Sequence, residues 1–242
     1  MRKKLIATFL VFALLLTSFL AVSPSDSASA ATDISKQFSK ASAKKIVEKA
    51  LKTLKNSSGI CYECVSITNF SKADNKPTAY RYINGFSTSS CDYYMAFDKK
   101  ETEKAWFGYN IKGKVFRKSF SDTAYKVYDN KVNYNPDFGT DKNYLEYMLA
   151  HLTSEKVKSI TSKTYVISAK PGWDNADITS INITINRKTN KILKIKCKKA
   201  KKTYTYINST DKYTVIGGTY TYSKIGYGDF TISIPDELAG YY

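Results

Sequence analysis

Four cysteines, one histidine and two small groups of carboxylates are the residues on which this chain could base any chemistry. Cys61 and Cys64 stand three apart in "CYEC", while Cys91 and Cys197 lie further down the chain. That spacing occurs in redox dithiols and in half of a zinc site. A redox pair is activated at a helix N-terminus, but "CYEC" follows the turn "NSSG" and leads into the strand-like "VSITNF". Zinc needs a second close pair of ligands, and His151 is the only histidine. Two strand residues three apart sit roughly 10 Å from each other, beyond the reach of one disulfide. The expectation is that Cys61 and Cys64 pair with Cys91 and Cys197, in an order left open.

His151 falls inside a helical stretch, where a lone histidine is a surface or boundary residue. Carboxylates gather only in "DKKETE" (98–103) and "PDEL" (235–238), each beside a turn or the terminus. No serine-nucleophile elbow, phosphate loop or zinc-protease motif occurs. No catalytic residue, metal site or cofactor is expected, and the chain reads as a non-enzyme. A secreted hydrolase would need a pair of carboxylates or a histidine pair across a cleft.

The N-terminus explains why disulfides enter the reading at all. "MRKK" precedes the uncharged run "LIATFLVFALLLTSFLAV", and Ala28-Ser29-Ala30 offers a cleavage motif. Residues 1–30 therefore read as a signal peptide, with an uncleaved membrane anchor as the alternative. No cysteine lies near that boundary to carry a lipid anchor. Residues 31–242 are expected to form one exported domain, secreted or held at the surface of a Gram-positive bacterium. Cleavage removes Arg2, Lys3, Lys4 and Asp26, so the net charge falls from +17 to +15. Such a surplus favours an anionic wall polymer or membrane surface, or simply keeps the protein soluble. Nucleic acid is not expected as a partner, and the chain is expected to be monomeric.

Hydrophobic periodicity places these residues on elements. Ile46, Val47, Ala50, Leu51 and Leu54 form one stripe of a helix, with Ser42 as a cap and "NSSG" (56–59) as its end. From Ile60 to about Tyr134 short strands alternate with turn residues at roughly ten-residue spacing. "DKNYLEYMLAHL" then makes a second helix, with Tyr144, Leu145, Met148, Leu149 and Leu152 on one stripe. "TSEKVKSITS" bridges back to a further antiparallel run ending in "DFTISIP". In "ITSINITINRKTNKILKIKCKK", Ile181, Ile183 and Ile185 alternate with polar residues. After the turn Leu193, Ile195 and Cys197 alternate with lysines, giving a hairpin with one apolar and one basic face. Helix, strands, helix, strands indicates an α+β fold with helices on one face of a large antiparallel sheet.

The chain resembles the LolA/LppX-type lipoprotein- and lipid-carrier superfamily. The resemblance rests on "SAKKIVEKALKTLKN" running into a first strand, on "ITINRKTNKILKIKCK", and on the close "YSKIGYGDFTISIPDEL", over about residues 40–238. It implies a curved antiparallel half-barrel with helices packed over its concave face, which in such proteins binds acyl chains. Ile181, Ile183, Ile185, Leu193 and Ile195, with Leu145, Met148 and Leu149 opposite, would then face an apolar ligand such as a lipid, lipopeptide or lipoprotein acyl chain. The alternative is a basic wall- or surface-associated interaction protein with a filled core and no ligand.

Overall fold

The computed structural model describes residues 39–76, 78–88, 91–98, 101–112, 114–119, 122–129, 142–173, 177–205, 210 and 212–241. The expected signal peptide lies outside them. Helix α1 (Lys40–Lys55) comes first, followed by strands β1 (Gly59–Phe70), β2 (Ala79–Thr88), β3 (Cys91–Asp98), β4 (Glu101–Ile111), β5 (Lys114–Ser119) and β6 (Lys126–Asp129). Helix α2 (Lys142–Ala150) precedes β7 (Leu152–Ile160), β8 (Thr164–Pro171), β9 (Ile178–Asn186), β10 (Ile192–Lys199), β11 (Lys202–Thr205) and β12 (Lys212–Tyr227).

Helix α1 starts one turn earlier than its stripe suggests. Ser39, not Ser42, is the cap, and its hydroxyl accepts the Ser42 amide at 3.2 Å. At the other end Lys52 and Lys55 sit in the last turn, where cations complement the helix dipole. Asn56 closes the helix, and three residues on the chain enters β1.

The strands form one antiparallel sheet in the order β6-β5-β4-β3-β2-β1-β12-β10-β9-β8-β7, with β11 paired to β12. β6 and β7 remain its two edges, so the sheet is an open half-barrel of the α+β class. "TSEKVKSITS", read from sequence as a connector, is the edge strand β7. Two register shifts interrupt its pairing with β8, and exposed Lys156 and Lys158 stud it. Bulges and lysines are what keep an open edge from recruiting another strand.

Opposite faces of the sheet carry two separate cores. Toward the helices, Tyr62, Cys64 and Ile83 join Ile167, Ile181, Ile183, Ile185, Ile195, Tyr220 and Tyr222. Ala43, Val47, Ala50 and Leu54 of α1, with Leu145, Met148 and Leu149 of α2, complete this inner core. Helix α1 lies against α2 and the edge strand β7. On the outer face, Cys61 stands opposite Phe86, Phe86 opposite Tyr93, Tyr93 opposite Tyr109 and Tyr109 opposite Phe116. The end of the chain packs over this aromatic row.

That end departs from the sequence reading. "DFTISIP" makes no ladder, because both edges of β12 are already paired with β1 and β10. After Gly228 it crosses the outer face as an extended strap. Ile232, Ile234 and Leu238 pack with Cys91, Tyr109, Ile111 and Phe116, and Phe230 meets the Phe86 ring at 5.8 Å. The Tyr109 hydroxyl donates to the Ser233 carbonyl at 3.3 Å.

Ile195 on β10 faces the inner core, but Leu193 does not. The β9–β10 register shifts between Ile192 and Lys194, so Ile192 is buried at 1% exposure and Leu193 is 38% exposed. The Ile192 amide donates to the Tyr227 hydroxyl at 2.9 Å, which holds the bulge. Replacing Ile183 with Ala should cost about 2–5 kcal/mol by urea unfolding. Replacing Leu193 with Ala should cost no more than about 1 kcal/mol. Equal losses would overturn this placement of the bulge.

Candidate ligand-binding face

The inner face is built by alternation. Every second residue of β8, β9 and β10 points to α1 and α2, and the register aligns these residues into cross-strand rows. Ile167, Ile183, Ile195 and Tyr222 form one row; Ala169, Ile181, Cys197 and Tyr220 form the next. Ile167, Ile181, Ile183, Ile185, Ile195 and Cys197 have no exposed surface. Leu145 and Met148 of α2 are equally buried. Of the eight residues expected on this face, seven are brought into one core; Leu193 stands outside it.

Several inner-face residues carry no weight in the sequence reading. Tyr220 and Tyr222 alternate in "GGTYTYS", and Tyr62 and Cys64 alternate in "CYEC". These are period-two signals, but tyrosines and cysteines are poor markers of an apolar face. Tyr62 meets the Tyr222 ring edge-on at 6.2 Å. Burial pushes the Tyr222 phenol well above its ordinary range, with Cys64, Tyr144, Cys197 and Tyr220 around it adding to the shift. Burial also raises Tyr227 to about 12, against the opposing effect of the Ile192 amide bond.

One charged residue interrupts the apolar surface. Lys199 is 6% exposed, and its Nζ donates to Ser66 Oγ at 3.0 Å and to Thr68 Oγ1. The ammonium sits 4.0 Å from the centroid of the Tyr220 ring. Hydroxyl acceptors and an aromatic face are the compensation a buried cation requires. It gives the inner face a polar end among β1, β10 and β12.

The expected disulfides are absent: Cys61, Cys64, Cys91 and Cys197 are all free thiols. Cys64 and Cys197 share the inner face, but β12 lies between their strands. Two inter-strand spacings are roughly 10 Å, too far for a bridge. Cys61 points to the opposite face of β1 from Cys64, and β2 separates it from Cys91. Burial pushes the thiols of Cys61 and Cys197 up, and raises Cys91 to about 12 with help from the Asp92 charge. In each of these three the neutral thiol is the favoured form.

The other candidate residues lie apart from one another among the described residues. His151 ends the last turn of α2, where its Nδ1 donates to the Tyr147 carbonyl at 2.8 Å and its ring lies 4.1 Å from the Tyr147 ring. Glu237 of "PDEL" pairs with Lys118 at 3.3 Å. Among the described residues no group of three or more His, Cys, Asp or Glu could hold a metal ion.

An open antiparallel half-barrel with a two-helix cover over an apolar face is the class this geometry defines. No family model matches the chain, and no curated protein matches it. Solved structures similar to it include the lipoprotein LppX of Mycobacterium tuberculosis, at 9% identity and a TM-score of 0.48, covering 80% of this chain and 99% of that one. LprF of Mycobacterium bovis is similar at 10% identity and a TM-score of 0.43, covering 81% and 96%. A LolA superfamily protein of Nitrosomonas europaea is similar at 9% identity and a TM-score of 0.36, covering 81% and 96%. None of these likenesses assigns a role to a residue here.

Two outcomes follow for the buried groups. Denatured protein should take up four alkyl groups without any reductant, whereas folded protein should protect Cys64, Cys91 and Cys197. Mass spectrometry after iodoacetamide checks this, and fewer than four would mean a disulfide. The fold favours neutral thiols and phenols, so their contribution is complete below the unfolded pKa values of about 8.5 and 10 and is lost as pH rises. The Tm should hold steady to about pH 8.5 and fall above it, in step with tyrosinate absorbance.

Proposed function

We propose that this chain is a non-enzymatic, exported binding protein that takes an apolar ligand, an acyl chain, between the inner face of its sheet and helices α1 and α2. The observation that carries the reading is the form of the cover. Among the described residues, an apolar surface running through β1, β2, β12, β10, β9, β8 and β7 is roofed by two helices, one of 16 residues and one of nine. A second sheet would seal such a face for good; two short helices leaning on an edge strand can be displaced.

The inner residues are fully buried as the structure stands, so loading is an exchange. An acyl chain entering under the helices gains about 0.8 kcal/mol for each methylene removed from water. Side chains such as Val47, Leu54, Met148 and Leu149 lose part of their own burial in return. The net affinity is the difference, which suits a carrier that must also release. Lys199 and the hydroxyls of Ser66 and Thr68 mark the polar end of the face.

Full burial also favours a second reading, in which the face is a filled core and the protein acts through its basic surface. Native mass spectrometry of the purified protein, before and after incubation with palmitate and with phosphatidylglycerol micelles, separates the two. An added mass that extracts as an acyl species is expected. A bare polypeptide mass in every condition would mean that the inner face is core alone.

A further inference from the structure

The outer face of the β7–β12 half carries a feature the inner face does not explain. Lys194, Lys196 and Lys198 of β10 all point outward and are exposed. Consecutive members stand about 6.8 Å apart along the strand. On the β12 side Lys196 faces Thr221 and Lys198 faces Thr219. On the β9 side the three lysines face Thr184, Asn182 and Ser180. Asn182 in turn faces Ser168 of β8, and Ser168 faces Lys156 of the edge strand. On β10 a file of ammonium groups therefore runs between two files of neutral hydroxyls and amides, and Lys170 of β8 with Lys156 and Lys158 of β7 add further exposed charge to the same face.

These lysines differ from others in the molecule. Lys118, Lys142, Lys202 and Lys224 pair with Glu237, Glu146, Asp177 and Glu63. Lys194, Lys196 and Lys198 make no ion pair among the described residues, and no outward position of β8, β9 or β10 holds a carboxylate. Like charges at adjacent same-face positions repel, and a bound polyanion relieves that repulsion. A surface shaped only for solubility mixes both signs.

We propose that this face binds a linear polyol-phosphate polymer lying along β10. Each phosphodiester carries one charge and two unesterified oxygens. One oxygen meets a lysine ammonium; the other accepts from a flanking Thr hydroxyl or from the Asn182 amide. The polyol hydroxyls meet the neutral files. Nucleic acid shares the phosphodiester, but a single strand is held by aromatic rings stacking on its bases. Apart from Leu193, the outward positions of β9 and β10 hold Ser, Thr, Asn and Lys, and none holds a ring. A bilayer surface shares the anionic phosphate, and the phosphatidylglycerol vesicles in the test distinguish it. The site is independent of any ligand on the inner face.

The test is fluorescence anisotropy with a labelled ten-unit poly(glycerol phosphate). Equal-length oligothymidylate, a hyaluronate oligomer and phosphatidylglycerol vesicles serve as competitors. The variant Lys194→Gln/Lys196→Gln/Lys198→Gln should lose at least tenfold in affinity, and its log–log salt slope should fall by about two. The variant Lys44→Gln/Lys45→Gln/Lys52→Gln removes the same charge from exposed positions of α1 and should bind within twofold of the parent. Equal losses in the two variants would reduce the effect to net charge and overturn the proposal. Better competition by vesicles, hyaluronate or oligothymidylate than by unlabelled poly(glycerol phosphate) would overturn the assigned partner. Absence of binding at low salt would overturn the site itself.

Discussion

The sheet is one sheet because of β12. Strands β1–β6 form a meander of neighbours, and so do β7–β10; only β12 pairs with both, through β1 on one edge and β10 on the other. Its 16 residues also hold β11. The close approach to β1 has a steric condition at Gly218, where a Cβ would stand 2.1 Å from the Ile67 carbonyl oxygen and the φ of +134° disfavours any L side chain. Tyr220 and Tyr222 then carry the inner core across the seam, and Tyr227 holds the bulge that rotates Leu193 outward.

From this seam the two faces divide the work. The two described covers lie on opposite faces: the helices over the β7–β12 half on the inner face, and the C-terminal strap over β2–β5 on the outer face. That division leaves the outer surface of β7–β10 to water, and there the sequence places Lys, Thr, Ser and Asn. The apolar and basic faces of the β9–β10 hairpin are thus parts of two different surfaces.

Much of this was legible in the residues. The Ile181, Ile183, Ile185 alternation reads directly as a buried face, because β-branched residues at period two have no other economical placement. The helix stripes are equally plain. What escaped the reading has physical causes outside local pattern. Leu193 obeys the alternation and is defeated by a hydroxyl 34 positions away. "TISI" has strand periodicity, but β12, the strand it follows, already has both edges paired. The cysteine count suggested bridges, yet bridging depends on which strands are neighbours, and β12 intervenes between Cys64 and Cys197. Lys199 gives no local sign of burial, since its acceptors Ser66 and Thr68 come from the far side of the seam.

Gly218 and its strand have a bearing on how the molecule is made. Synthesis runs from the N-terminus, so β1 emerges early with one edge bare, and its partner is the last of the described strands to arrive. Ile60 waits for Tyr227. Closing so long a loop before any contact rewards it makes for slow assembly, and a bare apolar strand edge is a template for wrong partners meanwhile. A truncation that stops short of β12 would leave two meanders with no seam, not a smaller version of the same protein.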